Sequence, residues 1–205
     1  MTATALHPLV AGFEHEAYGS QAVFRTALNA MSHPGRLWQM PLDTALPQQG
    51  HAAAAALMLG LLDSDTAVWL SPRLAGSDAA TWLRFHTGCS WVNEPSLAQF
   101  VWVAAGDVMP HLSILRQGSD DYPDQSATCV IEVEHLLPDT QGWSLQGPGI
   151  LGRCPLQVQG LPSDFQQQWA ENHACFPRGV DVFLATASDI VGLPRTTQIM
   201  NPQKA

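Results

Sequence analysis

Three short segments carry most of the side chains that could do chemistry. Leu83-Arg84-Phe85-His86-Thr87-Gly88 puts a guanidinium, an imidazole and a hydroxyl at a helix end. Phe176-Pro177-Arg178-Gly179-Val180-Asp181 is a turn entering an apolar run. Leu193-Pro194-Arg195-Thr196-Thr197 leaves an apolar run with one arginine and two hydroxyls. Arginine beside Gly, Pro and Thr suits an anion, because the planar fork matches phosphate or phosphonate oxygens. The other reading of each arginine is a pair with an acid such as Asp181 or with a helix C-terminus. Both readings stay open on sequence alone.

The charge inventory makes these arginines conspicuous. The chain has 205 residues, 9 Lys+Arg against 18 Asp+Glu, and a net charge of −9. That balance argues against a nucleic-acid-binding domain, which needs cations to neutralise phosphates. Eight of the nine cations are arginine, and the single lysine is Lys204 beside the C-terminal residue. A pyridoxal phosphate enzyme needs a pocket lysine for its Schiff base, and a P-loop needs one after a glycine-rich turn. Lys204 suits neither role, so any anion must be held by arginine, histidine or backbone N–H groups.

Other patterns fail on mechanism. Gly147-Pro148-Gly149-Ile150-Leu151-Gly152 spells the dinucleotide fingerprint, but Leu156 to Gln159 alternates like a strand where the phosphate-receiving helix should begin. It reads as a tight turn between two strands. His15-Glu16-Ala17-Tyr18-Gly19 has glycine where a zinc-protease helix needs its second histidine. No serine has glycine two places before and two after it, so there is no nucleophile elbow. Asp63-Ser64-Asp65 continues without the glycine of a calcium loop and reads as a helix stop. Cys89, Cys129, Cys154 and Cys175 form no CxxC pair, which predicts reduced thiols, most of them small core residues. The start of the chain lacks a secretory pattern, and the longest apolar run, Ala52 to Leu62, is too short to span a membrane. A cytoplasmic protein without cofactor or metal is expected.

The elements that must position these groups follow from periodicity. Glu14 to Met31 predicts a helix whose apolar face is Ala17, Phe24, Ala27, Leu28 and Met31, stopped by Pro34-Gly35. Arg36 to Met40 predicts a short strand, His51 to Leu62 a buried helix, Thr66 to Leu70 a strand and Ser77 to Phe85 a helix. Strands are predicted at Gln99 to Val103, Ala127 to Val133, Ser144 to Gln146 and Leu156 to Gln159. Ser163 to Gln166 reads as a capping box opening a helix to about Ala174. Val180 to Ala187 predicts a central strand, paired with Ile190 to Leu193 across Ala187-Ser188-Asp189. Gly118 to Gln125 is an acidic, exposed excursion. The order predicts one α/β domain over 1–205, with its core at about 14–199 and a mixed β-sheet sandwiched by helices.

Five segments in order carry a family resemblance: Met31-Ser32-His33-Pro34-Gly35, Leu62-Asp63-Ser64-Asp65-Thr66-Ala67-Val68-Trp69-Leu70, Leu83-Arg84-Phe85-His86-Thr87, and the segments around Arg178 and Arg195. Together they resemble the PhnH family of the bacterial carbon–phosphorus lyase system, from about Tyr18 to Ile199, with Ala104 to Gln125 outside the match. The resemblance implies a fold similar to pyridoxal-phosphate-dependent transferases without that cofactor. It implies a homodimer when isolated, and a core complex with the PhnG, PhnI and PhnJ subunits. It implies a part, with PhnG, PhnI and PhnL, in joining an alkylphosphonate to the ribose of ATP with release of adenine. The radical iron–sulfur step falls to PhnJ. The family supplies no catalytic residue.

The candidate anion ligands are Arg84, His86, Arg195 and Thr196, expected together near one end of the sheet, with Arg178 a weaker member. They would bind an anionic substrate or an acidic partner surface. Few charged residues (13%) and seven tryptophans suit an accessory subunit covered by partners. An independent enzyme using Arg84 and Arg195 as clamps and His86 as acid or base is the alternative, and a regulatory ligand-binding module is a third reading.

Overall fold

The computed structural model describes residues 12–42 and 46–200. The tail carrying Lys204 lies outside the described residues. Five helices, α1 (Glu16–Ser32), α2 (Ala52–Leu61), α3 (Pro72–Ala75), α4 (Asp78–Thr87) and α5 (Phe165–Ala174), are interleaved with eleven strands among the described residues. The strands are β1 (Trp38–Gln39), β2 (Ala67–Leu70), β3 (Ser90–Trp91), β4 (Phe100–Val103), β5 (Thr128–Glu132), β6 (His135–Leu137), β7 (Trp143–Gln146), β8 (Cys154–Gln159), β9 (Asp181–Ala185), β10 (Asp189–Leu193) and β11 (Gln198–Met200).

Seven strands form the main sheet in the order β1-β10-β9-β5-β4-β2-β3. The run from β3 to β9 is parallel, while β10 and β1 add antiparallel strands. The sheet is therefore mixed. The β9–β10 hairpin pairs Ala185 with Ile190, so its turn is Thr186-Ala187-Ser188, one residue before the predicted Ala187-Ser188-Asp189.

One correction concerns what covers the sheet. Helices α1, α2 and α4 cover one face, where Val68, Trp102, Val130 and Phe183 point. The opposite face carries Val101, Cys129, Ile131, Val182 and Leu184. It packs against α5 and against a second sheet, β11-β7-β8-β6. Leu145 and Leu156 of that small sheet are fully buried there. The short alternating segments after residue 135 thus form a β layer where helices alone were expected.

A second correction concerns α1. Its buried residues are Gly19, Val23, Ala27 and Ala30, whereas Phe24 and Leu28 are 48% and 53% exposed. Of the predicted apolar face only Ala27 is buried, with Met31 half-buried. The reason is the closeness of the backbones. A Cβ at Gly192 of β10 would sit 2.5 Å from the Ala30 carbonyl oxygen, and one at Gly60 of α2 would sit 2.6 Å from Val23 Cγ1. That gap admits only small side chains, so the large ones turn outwards.

The helix ends that hold the candidate residues are conventional. Ser77 caps α4 by accepting from the Ala79 N–H at 3.2 Å, and Gly88 ends it at φ +73° with its N–H on the Arg84 carbonyl. The capping box at Ser163 does not form. The cap position belongs to Asp164, whose carboxylate instead accepts from Gln168 Nε2 at 3.0 Å.

Candidate functional site

Arg195 follows β10 and enters a dense knot. Its Nε and Nη2 donate to the two oxygens of Asp181 at 3.2 and 2.6 Å. Nη1 donates to the carbonyls of Pro123 and Pro177 at 2.9 and 3.3 Å, and Nη2 also donates to the Ser126 hydroxyl. All five guanidinium N–H groups therefore have acceptors within the chain. The side chain is 12% exposed. It ties the acidic excursion, the turn before β9 and the end of β10 into one corner. Thr196 lines the cleft beside it with Phe176, Pro177 and Pro194. Arg178, on the turn before β9, is half exposed and meets Asp120 of the excursion at 3.2 Å.

Arg84 and His86 lie elsewhere. Both sit in the last turn of α4, at the N-terminal end of parallel β2 and β3, the end at which β9 begins. Strands β4 and β5 separate β2 from β9, a spacing of about 14 Å at the usual strand separation. The five candidates thus share an end of the sheet but form separate groups. The two on α4 also diverge, since residues two apart on a helix face different ways. His86 packs its ring against Trp82 and Phe85, each at 5.1 Å between centroids. It faces a cleft with Glu16, Ser20, Asp63 and Thr87. Arg84 faces the opposite concavity, with Ala80, Thr81, Phe85 and Trp91. Its guanidinium is exposed and makes no hydrogen bond or ion pair among the described residues.

Three features carry no functional signal in the sequence. Glu132, 3% exposed at the end of β5, accepts from the His51 N–H at 2.6 Å, Trp102 Nε1 at 2.9 Å and the Ala105 N–H at 3.1 Å. A lone acid ending an apolar strand gives no hint of this. Arg73 is committed to Asp107 at 2.9 Å. Burial opposes the charged Asp107 carboxyl, but the Arg73 N–H, the Ser71 hydroxyl and the Arg73 charge outweigh it and lower its pKa. The third is an apolar trough between α3, α4 and the edge strands, walled by Trp69, Leu70 and Trp91, with a volume of about 400 Å³. Tryptophan count pointed to such surfaces without saying where.

The remaining motifs resolve simply. The glycine-rich stretch joins antiparallel β7 and β8, with Gly149 at φ +81° and pressed against the Ser32 carbonyl. Asp63 closes the α2–β2 turn by accepting from the Thr66 hydroxyl at 2.7 Å and the Asp65 N–H at 3.0 Å, which lowers its pKa. Cys89 and Cys129 are buried, Cys154 is half-buried and Cys175 is exposed. Burial pushes the Cys129 thiol up to about 12. Two of the four cysteines, rather than most, are core residues. Among the described residues no helix is long and apolar enough to cross a membrane. No three His, Cys, Asp or Glu side chains among them are grouped to hold a metal ion.

Comparison with known proteins places this architecture. The family described as bacterial phosphonate metabolism protein (PhnH) matches residues 11–200. The alpha-D-ribose 1-methylphosphonate 5-triphosphate synthase subunit PhnH of Rhizobium meliloti (strain 1021) is 36% identical over 187 residues, covering 91% of this chain and 93% of that protein. HtxG of Stutzerimonas stutzeri, named as a C-P lyase subunit protein, is 30% identical over 184 residues, covering 90% of this chain and 87% of its own. A match that spans both sheets, the Arg195 corner and the whole of α4 leaves one conclusion: the chain belongs to the PhnH family of bacterial phosphonate metabolism proteins.

Proposed function

We propose that this chain is the PhnH-type subunit of a carbon–phosphorus lyase system. It takes part with PhnG, PhnI and PhnL in forming alpha-D-ribose 1-methylphosphonate 5-triphosphate from ATP and methylphosphonate, beside PhnJ. The observation that carries this reading is the near full-length identity with a subunit named for that synthase. The surface agrees with a subunit that meets partners. Tyr18, Phe24, Leu28, Phe85 and Phe176 are all substantially exposed, and an apolar surface of this kind is usual where proteins associate. The finer parts of the reading rest on the family resemblance alone: a homodimer in isolation, and a fold akin to pyridoxal-phosphate-dependent transferases that lacks the cofactor lysine.

In this role the anion ligands are unequal. Arg84 is available, and Arg178 is available once its exposed partner Asp120 is displaced. Arg195 and Thr196 shape a cleft wall, with the guanidinium held internally. His86 serves its own cleft on the far side of α4. The test is reconstitution. The chain is purified alone and with PhnG, PhnI, PhnJ and PhnL, and release of adenine from ATP with methylphosphonate is followed. Activity in the mixture that disappears when this chain is left out supports the reading. Turnover by the single chain makes it an independent enzyme and overturns it.

A further inference from the structure

Of five clefts on the described surface, four are poor hosts for an anion. The one at His86 is lined by the carboxylates of Glu16 and Asp63, and its neighbour along α1 also contains Glu16. The one at Arg195 contains Asp124 and Asp181, and its guanidinium has no donor left. The Trp69–Trp91 trough is apolar and by itself offers no charge. It adjoins the fifth concavity, since Ala80 and Trp91 line both. That fifth concavity, of about 450 Å³, brings in Arg84 and Phe85 and contains no carboxylate.

Two acids flanking the helices are committed elsewhere, while Glu94, beside the lining residue Asn93, is exposed. Asp78 at the start of α4 accepts from the N–H groups of Gln48 and Gln49 at 2.7 and 3.2 Å. Asp107 holds Arg73. The two adjoining concavities therefore share the Trp91 indole and have at the rim one guanidinium that makes no hydrogen bond or ion pair among the described residues, in a chain of net charge −9. The inner one, at about 400 Å³, falls in the size range of small-ligand sites. An indole favours a planar ring, and an open guanidinium favours phosphate.

We infer that the trough between α3, α4 and the β2–β3 edge is a nucleotide site, with the base against Trp91 and the phosphates at Arg84. The choice of a nucleotide among ring-bearing anions rests on the function proposed above. The experiment titrates the whole chain with ATP by calorimetry, beside Arg84→Ala, Trp91→Ala and, as a control, Arg25→Ala on the exposed side of α1. ATP should bind the wild type, and Arg84→Ala should weaken it about tenfold or more. Trp91→Ala should weaken it by a similar factor, and Arg25→Ala should leave it within about twofold. Arg84 is exposed and makes no hydrogen bond or ion pair among the described residues, so its loss does not endanger the fold. Inorganic triphosphate is the second probe and should bind at least about tenfold more weakly than ATP, because it lacks the base. No binding at millimolar ATP, full affinity in Arg84→Ala, or equal affinity for inorganic triphosphate would overturn the inference. Those failures leave the subunit reading intact as long as the reconstituted mixture still needs this chain. A chain that binds ATP yet is dispensable in the mixture sinks the subunit reading instead.

Discussion

Arg195 shows how little a residue type says without its neighbours. Proline and threonine around an arginine fit an anion ligand, and they fit equally a corner in which carbonyls and one carboxylate surround the guanidinium. The second arrangement forms, because Asp181 opens β9 directly beside the end of β10 and the Pro123 and Pro177 carbonyls close over the pair. Removing the side chain leaves the Asp181 carboxylate, 27% exposed, with the Arg195 backbone N–H at 2.8 Å and takes a donor from two carbonyls at once. Arg195→Ala should therefore lower the unfolding free energy by about 2–4 kcal/mol, read by urea denaturation. Arg195→Lys should recover less than half of it, since an ammonium cannot reach acceptors on so many sides. A loss under about 1 kcal/mol would mean that the knot is solvated and the guanidinium open to ligands after all. The sequence did offer Asp181 as the partner. It did not offer the carbonyls, which belong to loops more than fifty residues apart.

At the scale of elements, legibility follows burial. Strands β4, β5, β9 and β10 are dense apolar runs, and their observed bounds fall within the predicted segments or one residue beyond them. The edge strand β1 falls inside the predicted Arg36 to Met40 segment, but other short elements are not predicted. Strand β3 has two residues, β6 and β11 have three each, and α3 has four, too short for any period to register. Helix α1 was found with the wrong side inwards, because hydrophobicity ranks Phe24 and Leu28 above Gly19 and Ala30 while the available gap ranks them the other way. That ordering is testable on both sides of the helix. Gly192→Ala places a methyl against the Ala30 carbonyl and should cost about 1–3 kcal/mol by forcing α1 off β10. The double change Phe24→Ser, Leu28→Ser should alter stability by no more than about 0.5 kcal/mol per site, as surface substitutions do. Thermal unfolding of both variants decides it, and the reverse ranking would restore the inward face read from periodicity.

The whole molecule joins two apolar layers through one set of strands. Trp102 and Val130 point into the layer beneath α1, α2 and α4, while their chain neighbours Val101, Cys129 and Ile131 point into the layer beneath α5 and the small sheet. Neither layer can lose its packing without exposing strands that the other also needs, so the chain should unfold as one cooperative unit despite having two sheets. Trp169 of α5 tests this from the far side. It is 1% exposed, stacks with Phe165 at 6.1 Å between centroids, and donates from Nε1 to the Thr197 carbonyl at 2.8 Å. Trp169→Ala should cost about 3–5 kcal/mol. If the two layers are coupled, the loss appears equally in far-ultraviolet dichroism, which reports mainly the helices of the first layer, and in the exchange protection of the β7 and β8 amides. A variant whose small sheet loses protection while α2 and α4 keep theirs would divide the chain into two folding units. The second sheet would then be an appended layer and no part of the common core.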